Sequence, residues 1–141
     1  MTGTNGSRIY NSVFKTSHFA QLLIHNYSSK LYMQIQAFPF QVPDWITVPK
    51  EQHEGIAGFA LWQVFKRNDI RIRQVEYSAD YTADHWCSKG HIIYCVAGEM
   101  ETELKDGRKY ILSAGMSYQV GDDCEAHRSS SKHGCKLFIV D

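Results

Sequence analysis

From residue 33 onward, apolar and polar residues follow a period of two rather than helical spacing. Successive side chains of a strand face opposite sides, so this alternation marks a sheet with one buried face. "MQIQAF" (33–38) alternates. "GFALWQVFKR" (58–67) and "IRIRQVEYS" (70–78) are rich in β-branched and aromatic residues, with Arg67-Asn68-Asp69 between them as a hairpin turn. At the head of the second run Ile70, Ile72 and Gln74 oppose Arg71, Arg73 and Val75, which predicts one wet face there. "GHIIYCVAG" (90–98) reads as a buried strand. "EMETEL" (99–104) and "RKYILS" (108–113) flank Lys105-Asp106-Gly107, and Asp-Gly predicts a tight hairpin with a primed turn. "MSYQV" (116–120) and "CKLFIV" (135–140) complete the set. The one helix candidate past Met33 is a single turn at residues 49–53, after a loop at Pro43-Asp44. About eight to ten short strands with close turn signals predict an all-β sandwich or barrel.

Charge divides the chain. Before residue 44 the only charged side chains are Arg8, Lys15 and Lys30, so all 15 acidic residues lie beyond that point. Residues 1–32 are rich in Ser, Thr and Asn, with one short apolar stretch at 19–24. They read as a docking arm, a transit-like leader, or a poorly ordered or non-native extension from a mis-chosen start codon. The last is the preferred reading, with the domain proper at residues 33–141. With 141 residues and zero formal net charge, neither disorder nor nucleic-acid binding is indicated. No apolar run reaches the length of a membrane span. Cys87, Cys95, Cys124 and Cys135 follow no recognisable secretory leader, so they are expected as reduced thiols in a cytoplasmic protein.

The candidate chemistry lies in "DHWCSKGHIIYCVAGE" (84–99). On a strand His85 and Cys87 share one face and Trp86 takes the other. Cys95 reads as core, Cys135 as a structural residue at the start of the last strand, Cys124 and His133 as turn residues, His53 as surface, and Trp45, Trp62 and Trp86 as packing. Tyr94 and Tyr118 are candidates to line an interior, and Glu99, Glu101 and Glu103 to form a wet strand face. Cys87 is a metal ligand or a small buried filler; the residues alone leave both open.

These residues resemble the cupin superfamily of small β-barrels, whose first motif has two His one residue apart, then Glu, then Gly. Here His85, Cys87, His91 and Gly98 stand at that spacing, with Cys in place of the second His and His in place of Glu. "GMSYQVGDDCEAH" (115–127) is similar to the second motif, one residue longer and without its Pro. A bacterial cupin group with an Asp-His-Cys-Trp motif is nearest; here the order is Asp84-His85-Trp86-Cys87. The resemblance implies a single cupin-type jelly-roll barrel over residues 33–141 and brings His127 to the same interior. It implies a divalent metal on His85, Cys87, His91 and His127, a small-molecule ligand in the barrel, and a homodimer. The two exchanges keep one anionic ligand among four while softening the site, which points to zinc or iron(II). Two functions follow as expectations: a small-molecule metalloenzyme, dioxygenase- or isomerase-like, or a non-catalytic metal-stabilised binding or redox- or metal-sensing module. Three ligands would favour the enzyme and a filled set of four the module.

Overall fold

A computed structural model describes residues 35–141. The expectation for residues 1–32 lies outside the described residues. Residues 38–141 form one compact unit. Its strands are β1 (Glu51–Glu54), β2 (Phe59–Arg67), β3 (Ile70–Thr82), β4 (His91–Leu104), β5 (Lys109–Ser113), β6 (Ser117–Val120) and β7 (His127–Val140). All pairings are antiparallel, in the order β1-β2-β3-β7-β4-β5, with β6 also on β4. No helix occurs among the described residues, so none there is long and apolar enough to cross a membrane.

The β2–β3 hairpin forms as expected, with Asn68 at φ 50° in its turn. Several local expectations are corrected. Residues 35–38 carry no regular structure, and Ile35 and Phe38 are exposed; alternation makes a strand only where a sheet edge accepts it. The edge of β2 is taken by β1, which replaces the helical turn expected at residues 49–53. His53 is therefore an edge-strand residue, its ring 4.3 Å from that of Trp62. His133 lies inside β7, opposite Ala79, rather than in a turn. In the β4–β5 hairpin only Gly107 has positive φ, at 94°, and its N–H donates to Leu104. That is a turn followed by a left-handed glycine, not a two-residue primed turn.

The core holds Ala60, Val75, Ile93, Met100, Leu137 and Ile139, with the expected Cys95 among them and Cys135 beside it. On β3 the face expected to be wet points inward: Arg73 is 6% exposed and Val75 1%. Asp141 makes this tolerable. Its carboxylate accepts from Arg71 Nε and Nη2 at 2.9 and 2.7 Å and from Arg73 Nη2 at 2.6 Å. Buried charge is retained where it is paired and hydrogen-bonded.

The long strands β4 and β7 pair along most of their length and bend together. The buried positions of β4 are His91, Ile93 and Cys95, then Met100, Thr102 and Leu104, so the inward parity switches from odd to even. Register shifts between Cys95 and Ala97 and between Gly98 and Glu101 supply the extra residue. At this corner Gly98 and Gly134 have φ of 75° and 83°. A Cβ on Gly98 would lie 2.5 Å from the Gly134 carbonyl oxygen and 2.9 Å from Cys135 Cα. The bend turns the start of β4 toward the start of β7.

Gly98→Val is expected to lower unfolding free energy by about 3 kcal/mol or more, from backbone overlap together with left-handed strain. Gly107→Ala carries strain alone, because nothing lies within 4 Å of its Cβ position, and should cost about 1 kcal/mol. Urea denaturation of the two variants checks the corner; equal losses would contradict it.

Candidate metal centre

Three of the four residues singled out as ligands meet. His91 opens β4 and His127 opens β7, and the corner brings their Nε2 atoms to 2.7 Å. Cys87 precedes β4 and is clamped beside His127 by a two-hydrogen-bond bridge, with Cys87 N–H to His127 O at 2.8 Å and His127 N–H to Cys87 O at 3.0 Å. The Cys87 thiol and the two imidazoles present ligand-type atoms all within 4.8 Å of one another. Both histidines are buried, at 9% and 3% exposure, and Cys87 is half-buried.

His85 stands apart from this group. Its side chain is 69% exposed, and its Nδ1 lies 2.5 Å from the Asp84 carboxylate. The expectation that His85 and Cys87 share a strand face is corrected, because residues 84–85 form a bend and Cys87 makes only an isolated bridge. Trp86 does turn outward from Cys87, and Arg128 lies over its ring at 4.8 Å.

The protonation pattern can be read from the partners. His127 Nδ1–H donates to the Glu125 carbonyl at 2.8 Å, which leaves its Nε2 as a lone pair facing His91. Tyr118 places its hydroxyl 3.3 Å from His91 Nε2. Burial pushes that phenol up to about 12, so it stays protonated. Burial, then His127 and Arg73, push His91 down to about 4. Tyr118 is thus a site residue, whereas Tyr94, the other interior candidate, is 45% exposed on the outer face. Arg71, Arg73 and Asp141 were not among the sequence candidates. The register Ile72–Val140–Ile92 places Arg71, Asp141 and His91 in one row across β3, β7 and β4. The arginines hold the Asp141 carboxyl below its usual range although burial acts the other way.

This donor set fits a divalent transition metal. Two imidazole nitrogens face each other across 2.7 Å with a thiol beside them. A cation would take the place of the proton that joins the two nitrogens, and the Nδ1–H···O=C bond to Glu125 is the support that metal-binding imidazoles use. His91 Nδ1 is buried without a hydrogen-bond partner.

In the metal-free protein His91 sets a pH dependence. Unfolded, it binds a proton near 6.5; folded, near 4. Between these values the unfolded state holds more protons, so stability is full above pH 6.5 and falls as the pH drops toward 4. The expected loss is up to about 3 kcal/mol. Urea titrations across pH 4–7 on the parent and His91→Gln measure it, and the variant should lack this component. Identical slopes in both proteins would contradict the assignment.

No family model matches this chain, and no curated protein matches it by sequence. Solved structures do match. An RmlC-like cupin from Shewanella frigidimarina is similar at 22% identity over 76% of this chain and 90% of its own, with a TM-score of 0.53. Ectoine synthase from P. lautus is similar at 17% identity over 72% of this chain and 76% of its own, with a TM-score of 0.58. The Fe(II) HppE–substrate complex is similar at 14% identity over 72% of this chain and 60% of its own, with a TM-score of 0.60. At these identities the likeness speaks for the fold, and with the bent antiparallel sheet it settles that the chain is a cupin-fold protein, a jelly-roll barrel.

Proposed function

We propose that Cys87, His91 and His127 hold one divalent transition metal, zinc or iron(II), and that the protein is a metalloenzyme acting on a small molecule, dioxygenase- or isomerase-like. The observation that carries this reading is the convergence of three ligand-type atoms, not four, beside a cavity of about 300 Å³. The cavity is lined by His127, Tyr118 and Thr102 and by the apolar Leu104, Leu112 and Val120. A set of three leaves room for an exchangeable ligand, which a closed structural site lacks. When bound, the metal would supply Lewis acidity or, as iron(II), redox chemistry.

The chain's own residues contribute the rest. The Glu125 carbonyl fixes the His127 tautomer. The protonated Tyr118 hydroxyl offers a hydrogen bond at the edge of the cavity. The apolar wall displaces water from a bound molecule. HppE, of similar fold, is described as an Fe(II) protein in complex with substrate; the same use of the barrel is proposed here.

Metal content of tag-free protein, with affinity by chelator competition, tests the assignment. His91→Ala and His127→Ala should each lower affinity at least tenfold. Cys87→Ser should do the same and weaken the preference for soft metals. His85→Ala should leave affinity unchanged. Metal binding indifferent to all four changes would contradict the centre, and a loss with His85→Ala would restore the four-ligand set and the sensing or binding module.

The homodimer expected from the cupin resemblance is proposed to form through the outer face of β4. There Ile92, Tyr94 and Val96 are 44%, 45% and 54% exposed, next to Phe138 and Val140 of β7. Exposed apolar stripes of this kind mark contact surfaces. Sedimentation should show a dimer that Val96→Glu converts to monomer; a monomeric parent, or a dimer untouched by the change, would contradict this face.

A further inference from the structure

The cavity beside the candidate metal centre is lined unevenly, and the unevenness sets what fits. Tyr110, Ile111 and Leu112 of β5 and Val120 of β6 wall it, joined by Leu104 of β4 and by Met116. Leu104 and Leu112 are buried, whereas Tyr110, Ile111 and Met116 are half-exposed, so the apolar wall continues out to the mouth. An apolar body lying along it removes surface from water both inside and at the opening. A volume of about 300 Å³ stands at the low end for ligand cavities and holds a small molecule.

The polar groups on the lining narrow the choice. Ser117 and Gln119 are partnered with each other, Gln119 Nε2 donating to Ser117 Oγ at 3.0 Å. Glu125 is the one carboxylate on the lining among the described residues, and Arg108 donates to it. Arg108 also donates from Nε to Asp106 at 2.8 Å. No lysine or arginine among the described residues lines the cavity. An acid entering it would exchange its hydration for a wall that offers a carboxylate and no cation, and a buried charge without a partner is far costlier than a buried apolar group. A polyol would bring many hydroxyls to groups that already have partners. What remains is the inner end, where the Tyr118 hydroxyl stands beside His91 and His127 lines the wall. There the protonated phenol has one hydrogen to donate, enough for a single oxygen.

We infer that the cavity takes an uncharged, largely apolar molecule with a single carbonyl or hydroxyl oxygen, held with that oxygen at Tyr118 and its apolar body against Leu112, Tyr110 and Met116. For what the oxygen meets beyond Tyr118 this rests on the metal-centre reading; the choice of an uncharged apolar body does not.

NMR titration of full-length protein, metal-free and zinc-loaded, with acetophenone, benzoate, benzylammonium and myo-inositol tests this. Acetophenone and benzoate share the ring and the carbonyl and differ chiefly in charge. Acetophenone should bind the metal-free protein at least tenfold more tightly than benzoate or benzylammonium, and myo-inositol should not compete. Tyr118→Phe should weaken acetophenone about fivefold. Met116→Lys places a cation at the half-exposed mouth, outside the core cluster. It should weaken acetophenone and strengthen benzoate, narrowing their ratio about fivefold. Acetophenone failing to bind at millimolar concentration, or matched by benzoate or myo-inositol on the metal-free protein, would overturn the inference. So would acetophenone binding indifferent to Tyr118→Phe or to Met116→Lys. Benzoate overtaking acetophenone only once zinc is loaded would overturn the uncharged class and leave the metal centre standing. Selective acetophenone binding, sensitive to both substitutions, in a protein that takes up no zinc would support the cavity's preference and remove the metal centre.

Discussion

Everything in this barrel depends on how closely β4 and β7 approach at one corner. Gly98 and Gly134 let the two backbones come within a distance that a single added carbon would violate. The strands then bend as a pair, and the start of one is carried over the start of the other. His91 and His127, at opposite ends of the β4–β7 ladder, meet only for this reason. The switch of inward parity along β4 has the same origin. One extra residue at the bulge puts Met100, Thr102 and Leu104 inside and leaves Glu99, Glu101 and Glu103 outside. The glutamates pair there with Ser113, Lys109 and Arg128.

The second organising feature is charge kept inside the barrel. Arg73 is buried at a cost that Asp141 offsets in part, and the pairing ties the end of β7 to β3. Removing Asp141 would leave two cations without their acceptor, while removing Arg73 would leave Asp141 with Arg71 alone. The Arg71–Asp141–Arg73 cluster thus brings paired charge to one side of His91, while the cavity lined by Tyr118 and Leu112 is largely apolar. The histidine pair sits between two environments of opposite preference.

The sheet, the β2–β3 hairpin and most of β4 were legible in the sequence because apolar alternation and turn residues report them directly. The first half of β7 was not. It reads "HRSSSKH", and its inward positions are His127, Ser129 and Ser131, buried but polar, which hydrophobic pattern cannot see. On β3 the pattern misled: Ile70 and Ile72 suggested the buried face, yet the arginine face turned inward because Asp141, some seventy residues on, supplies the counter-charge. At the site, spacing singled out Cys87, His91 and His127, whose ligand-type atoms the fold brings within 4.8 Å of one another. It also singled out His85, which stands apart from them beside Asp84, where the chain bends. Unpaired donors such as Trp62 Nε1 have no sequence signal at all, because being unpaired is a property of the surroundings.

The place of β7 in the sheet also governs how the protein is made. It is the last strand in chain order and lies between β3 and β4. Until it has been synthesised, β3 and β4 each expose an unpaired edge, and the core they flank has no floor. The barrel therefore cannot close hairpin by hairpin as translation proceeds. Closure waits for β7, and until it pairs the open edges of β3 and β4 are the part of the sheet most exposed to wrong pairing.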